Sequence, residues 1–166
     1  RQIMPSGASE VRAEQLATLS VVRHEEITSN LISDLLAKID TEVLTGWQRA
    51  NVREIERVHK NATALSPEII DAHSRARHNC ETVWRTARRD NRFDLVVDPL
   101  GELLEITKEI AAVKADKFNM QPYDALLDEY EPGAKAENLD TIFTSVEPKL
   151  IQLLESVLEQ QKKTAN

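Results

Sequence analysis

The sequence predicts an all-α fold, a single helical bundle of about six or seven helices with short antiparallel connections over residues 1–166. Three observations carry this. Apolar residues recur every three to four positions along most of the chain, which puts them on one face of a helix. Clusters of β-branched residues alternating with polar ones, the mark of a half-buried strand, are missing. Only four glycines and six prolines interrupt a sequence rich in Leu, Ala, Glu and Arg, all good helix formers except for their punctuation.

Taken in order, Met4-Pro5-Ser6-Gly7 is an irregular lead-in. Ser9 is placed to cap a first helix running to about Thr28, with Ala13, Leu16, Ala17, Leu19 and Ile27 near one side and Arg12, Glu14, Arg23 and Glu26 toward water. Leu31, Ile32, Leu35, Leu36 and Ile39 mark a shorter second helix, and Asp40 to Gly46 reads as a loop. The third helix, about Thr45 to Ala62, aligns Trp47, Asn51, Ile55, Val58 and Ala62 as a core face, leaving Arg49, Arg53, Glu56 and Lys60 opposite. Ser66-Pro67 is a capping serine followed by proline at the first helical position. It starts a helix to about Asp90 whose apolar stripe is Ile69, His73, Ala76, Cys80, Val83, Trp84 and Ala87, so Trp47 and Trp84 are both expected to be substantially buried.

After a short apolar stretch from Phe93 to Val97, Asp98-Pro99 repeats the start signal, and Leu100, Leu103, Ile110 and Val113 carry the stripe toward Phe118. Pro122 suits the first position of a short helix that Pro132-Gly133 ends. The last segment, about Lys135 to Gln161, has an apolar face from Leu139 to Val157. Pro148 lies inside it and must bend the helix or divide it, because proline lacks an N–H and crowds the preceding turn.

Composition narrows the function classes. The net charge of -7 argues against general nucleic-acid binding. No apolar run approaches the ~18 residues that would read as a membrane span. The single Cys80 forms no internal disulfide and suits a reducing, cytoplasmic setting.

The candidate chemistry is sparse. His24-Glu25 has Thr28 where a His-Glu-x-x-His zinc helix needs its second histidine, and His73 and His78 lie five apart, roughly 140° around a helix, too far to share a metal easily. His24 therefore reads as an ordinary surface or half-buried histidine, His73 as a core histidine, His59 as a flank of its helix's core face, and Cys80 as a packed thiol. Arg85, Arg88, Arg89 and Arg92 gather on one side of their helix and could grip phosphate or an acidic partner. Simple solvation, or pairing with the acid-rich segment from Gln121 to Gln161, is the better reading. Asp124, Asp128, Glu129 and Glu131 lack the glycine and alternate spacing of a calcium loop, and capping or salt-bridging roles suit them better. The chain thus offers no catalytic and no metal-ligating residue set.

The word order from Tyr123 to Gly133, Tyr-Asp-x-Leu-Leu-Asp-x-Tyr-Glu-Pro-Gly, resembles a signature of the carboxypeptidase Taq family. Met4-Pro5-Ser6-Gly7-Ala8 and the helix after it resemble that family's Met-Pro-x-Gly lead-in, with Ser6 where a second proline is common, and Ala50 to Ile55 is similar to another family stretch. These segments follow the family's order and spacing. The motif positions are Met4, Pro5, Gly7, Tyr123, Asp124, Asp128, Tyr130, Glu131, Pro132 and Gly133, to which the resemblance assigns structural rather than catalytic roles.

The resemblance implies the N-terminal part of a larger all-helical metallopeptidase, with a zinc-type divalent metal in the parent and none in this chain. In the family the His-Glu-x-x-His helix, the further glutamate ligand and the substrate-binding arginines lie downstream of the Tyr-Glu-Pro-Gly corner, beyond Asn166. The chain is accordingly expected to be a fragment truncated at both ends. Its expected partners are a C-terminal catalytic half, peptide substrate for the parent, and a homodimer among the allowed assemblies, with no nucleic acid and no membrane. The competing expectation, from a different class, is a non-catalytic helical protein-interaction module.

Overall fold

The computed structural model describes residues 5–164, all of whose regular elements are helical. They are α1 (Ser9–Ile27), α2 (Asn30–Ala37), α3 (Gly46–Ala62), α4 (Pro67–Arg89), α5 (Val97–Phe118), α6 (Pro122–Leu127) and α7 (Ala136–Thr164), with 3-10 turns at Ser6–Ala8, Thr41–Val43 and Phe93–Leu95. No helix among the described residues is long and apolar enough to cross a membrane. The chain divides into two compact units, 1–119 and 120–166.

In the first unit α4 is the central helix, packed along α1 on one side and α5 on the other. Its start is encoded as expected: Pro67 opens the helix and the Ser66 hydroxyl accepts a hydrogen bond from Ile69 N at 3.4 Å. Its end is a left-handed Asn91 (φ 53°), after which Arg92 N donates back to Ala87 O at 2.8 Å, closing the last turn as a Schellman motif does. Toward α5 and the Phe93–Leu95 turn, Cys80, Ala87 and Val96 form a small core with Val83 and Leu103 packed against it.

The opposite face of α4 is polar and is also covered. Ser74, His78 and Thr82 recur every four residues toward α1, where Ser20 Oγ bonds Ser74 Oγ at 3.2 Å and Ser9 Oγ bonds Thr82 Oγ1 at 3.4 Å. Helix α1 answers with small side chains, Ala17 being fully buried, so the two backbones approach closely.

Several burial expectations are corrected. Trp47 is 77% exposed and Trp84 is 43% exposed. Trp84 lies a further 100° around α4 from Val83, on the flank of the core, where Arg88 stacks its guanidinium 5.3 Å from the ring centroid. On α3 the aligned residues Asn51, Ile55 and Val58 line an open groove rather than a closed core, and on α1 Leu19 faces water while His24 is buried in line with Ala17. The α5 start also differs: the helix begins at Val97 without a side-chain cap, so Asp98 and Pro99 sit inside its first turn, where a missing proline N–H costs no helical bond.

In the second unit α7 runs through Pro148 as one helix of 29 residues. The break is avoidable because α7 is exposed around Pro148, so water can reach the Thr144 carbonyl that loses its N–H partner.

Candidate functional site

The segment from Gln121 to Ala136 is a built corner, and its residues can be assigned one at a time. Pro122 occupies the first position of α6, where its fixed φ suits the helix. Asp124 and Asp128 are four residues apart, one helical turn, and so project toward the same side. Both reach the chain as it returns: Asp128 Oδ1 accepts from Gly133 N at 2.9 Å, and Asp124 Oδ1 accepts from Ala136 N at 2.8 Å. The second bond satisfies an orphan N–H at the start of α7, doing from twelve residues away what a capping residue does locally, and it places a carboxylate at the positive end of the helix dipole.

Between those anchors Glu131-Pro132-Gly133-Ala134 makes a type II turn. Ala134 N donates to Glu131 O at 2.9 Å, Pro132 sits where φ is fixed near that of the ring, and Gly133 has φ +79°. A Cβ at Gly133 would meet nothing within 4 Å, so glycine is required there by backbone conformation and not by space. Asp, Asp, Pro and Gly at this spacing are therefore one hydrogen-bonded device that reverses the chain between α6 and α7.

The remaining motif positions stand outward. Tyr123 and Tyr130 are exposed, Tyr130 to 89%, as are Glu131 and Pro132. Pro5 precedes the Ser6–Ala8 turn and accepts from Ala8 N at 3.0 Å, Gly7 is exposed within that turn, and Met4 lies outside the described residues.

Two of the histidines, His59 and His78, are engaged in holding helices together. His59 Nδ1 lies 2.8 Å from Ile27 O, which fixes that nitrogen as the donor, and Nε2 lies 3.1 Å from Ser33 Oγ. One ring thereby ties α3 to the end of α1 and to α2. His78, buried on α4, donates from Nε2 to Ser9 O at 3.1 Å with Ser9 Oγ at 3.3 Å. Sequence reasoning missed this buried histidine because it treated α4 as apolar on one side only; Ser74-x-x-x-His78-x-x-x-Thr82, at helical spacing, was the available signal. Among the described residues no three or more His, Cys, Asp and Glu side chains group as a metal ion would need, so this donor set does not fit a catalytic zinc.

The arginine cluster pairs locally, within the first unit. Arg85 pairs with Glu81 at 2.7 Å, Arg89 with Asp90 at 2.9 Å and Arg92 with Asp94 at 2.6 Å, while Arg88 lies over Trp84. The Arg89 and Arg92 hydrogen bonds hold the Asp90 and Asp94 carboxyls below their ordinary range. Cys80 is buried, as a packed thiol should be.

The groove on α3 is an open apolar concavity in the first unit. Ile27, Ile32, Ile55 and Val58 line about 310 Å³, with Asn51, Glu54 and His59 at its edge. It contains no arrangement of nucleophile and base.

Comparison with known proteins identifies the family. The model of the carboxypeptidase Taq (M32) metallopeptidase family matches residues 1–166. Thermostable carboxypeptidase 1 of Thermus thermophilus is 29% identical over 174 residues, an alignment covering 98% of this chain and 34% of that protein. Thermostable carboxypeptidase 1 of Pyrococcus furiosus is also 29% identical, over 96% of this chain and 32% of its own length. Among solved structures, Trypanosoma cruzi metallocarboxypeptidase 1 superposes with a TM-score of 0.78 at 32% identity, over 99% of this chain and 33% of that one. The chain thus spans about a third of the length of the relatives it matches. With a family model matched from end to end and the same fold at 32% identity, the chain belongs to the carboxypeptidase Taq (M32) metallopeptidase family.

Proposed function

We propose that residues 1–166 are the N-terminal helical portion of a metal-dependent carboxypeptidase that hydrolyses C-terminal residues from peptides. In this reading the chain walls and supports the substrate cleft, and the metal and the reacting groups belong to the rest of the polypeptide. The observation that carries it is the pairing of a full-length family match with a span of only about a third of the metallocarboxypeptidase relatives.

A zinc-type metal in such an enzyme supplies Lewis acidity and a water acidic enough to attack the terminal peptide carbonyl near neutral pH. This chain's residues serve a different purpose. Asp124, Asp128, Pro132 and Gly133 fix the angle at which α7 leaves the corner, and His59 and His78 fix the packing of α1 to α4. Positional precision of that kind is what a cleft wall contributes, because displacing a bound substrate by about 1 Å can cost on the order of 100-fold in rate. Cys80, buried and unbridged, suits the cytoplasmic setting we assign.

The test is the coding sequence beyond Asn166. A His-Glu-x-x-His helix downstream, followed by a further glutamate, supports the carboxypeptidase reading. A stop codon directly after Asn166 supports a stand-alone helical interaction module instead.

A further inference from the structure

Helix α7 carries the largest unexplained feature of the chain. Every residue from Thr141 to Lys163 is exposed, although nine of them are large apolar residues between 38% and 63% accessible. Their spacing is regular: Leu139, Phe143, Val146, Leu150, Leu153 and Val157 follow the alternating three-and-four rhythm of a helix-packing seam. Ile142 and Leu154 flank that seam, and Ile151 and Leu158 extend it on the Leu154 side, where Asp140 and Glu147 also fall, so the largely apolar arc covers roughly 180° of the helix at 100° per residue, with two carboxylates near one rim. Thr144, Ser145, Gln152, Glu155, Ser156 and Glu159 fill the other half.

Nine large apolar side chains exposed along one face form a contiguous patch of the kind that marks an interaction surface and not the scattered single residues normal on a monomer. The width of the arc identifies the kind of cover it needs. A second copy of α7 would bury a narrow seam and leave Ile142 and Ile151, on opposite rims, in water. Between Leu139 and Val157 the seam also lacks the polar residue that fixes register and strand number in self-pairing helices. An arc of half the circumference instead fits a helix laid into a layer, touched by more than one neighbouring helix. About two-thirds of the length of the relatives lies outside this chain and is available to supply that layer.

We propose that the apolar half of α7 is the seam on which helices of the same polypeptide, from outside residues 1–166, pack against this part of the protein. The inference rests on the carboxypeptidase reading and deepens it by naming the surface that joins the two parts. It makes α7, set at its angle by the Asp124 cap, the element through which the supporting portion positions the catalytic one.

Thiol labelling tests this in the 166-residue chain and in the longer polypeptide encoded by the extended sequence. In a Cys80→Ala background, Phe143→Cys, Leu150→Cys and Leu154→Cys each place a reporter on the seam, and Ser156→Cys places one on the polar face. The seam thiols are expected to react freely in the 166-residue chain and about tenfold or more slowly in the longer polypeptide, where exchange requires local opening, while Ser156→Cys reacts alike in both. Equal seam labelling in the two proteins would overturn the proposal. So would protection that appears in the 166-residue chain on raising its concentration and is no greater in the longer polypeptide, since a second copy would then be the cover. Peptidase activity of the longer polypeptide is measured separately, so a protected seam without activity would remove the functional reading and leave the packing surface standing.

Discussion

Replacing Asp124 by alanine isolates the bond that starts α7. The Asp124 carboxylate is half-buried and accepts from Ala136 N at 2.8 Å, so truncation leaves an orphan donor at a helix start and removes a negative charge from the positive end of the dipole. A lost cap costs about 1 kcal/mol, and the charge contributes roughly 0.3–1 kcal/mol more. Asp124→Ala should therefore destabilise the corner and α7 by about 1–2 kcal/mol, and Asp124→Asn, which keeps an acceptor, by about 0.5 kcal/mol. Urea unfolding read by far-ultraviolet circular dichroism reports α7 strongly, because it is the longest helix at 29 residues. Tryptophan fluorescence is the internal control, since both tryptophans, Trp47 and Trp84, belong to the first compact unit. A midpoint for Asp124→Ala indistinguishable from that of the unaltered chain, with an unchanged slope, would refute the capping argument.

Four further outcomes follow from the same structure. Gly133→Ala should cost about 1 kcal/mol in the same urea assay, because φ +79° penalises a Cβ even though none of its neighbours would be touched. Trp84→Ala should cost about 1–3 kcal/mol, less than the roughly 3–5 kcal/mol of a fully buried tryptophan, as measured by the same denaturation midpoint, since the ring is only about half covered. His59→Ala removes bonds to Ile27 O and Ser33 Oγ and should lower stability by about 1–2 kcal/mol, with faster amide exchange at the α1–α2 junction as its local readout. Arg92→Gln should let the Asp94 carboxyl rise toward its ordinary value in an NMR titration. The depressed carboxyl contributes its small stabilisation above the unfolded-state value and loses it as pH falls through the folded-state value, so the variant should differ from the parent chain near neutral pH and converge with it in acid.

The elements of this fold are legible in the sequence because their starts and stops are chemical. Thr45 caps α3 in a reciprocal box with Gln48, Ser66-Pro67 opens α4, and Pro122 opens α6, each within a residue of the position that the local signals indicate. The corner is legible too, since Pro132-Gly133 demands a turn, although only the structure shows Asp124 and Asp128 holding its two ends. What periodicity does not disclose is which apolar faces meet one another. Asn51, Ile55 and Val58 do share a face, yet they line an open groove, and Trp47 before them stands in water, because spacing specifies where a stripe points and not what covers it. The polar face of α4 escaped for the reciprocal reason: Ser74, His78 and Thr82 look like a solvated side until α1 arrives with partners for them. Of the two outcomes Pro148 allows, the structure excludes a division, since α7 is continuous through it, and the exposed surroundings let water meet the freed carbonyl.

The division of labour between this chain and the rest of the polypeptide is tested most directly by one paired assay: metal content and metal-dependent release of C-terminal amino acids from a peptide, measured for residues 1–166 and for the longer polypeptide side by side. The account predicts stoichiometric metal and chelator-sensitive release for the longer polypeptide and neither for residues 1–166, whose His59 and His78 are committed to helix packing. Metal-dependent release by residues 1–166 alone would contradict where the chemistry has been placed, and a metal-free, inert longer polypeptide would contradict the carboxypeptidase reading itself.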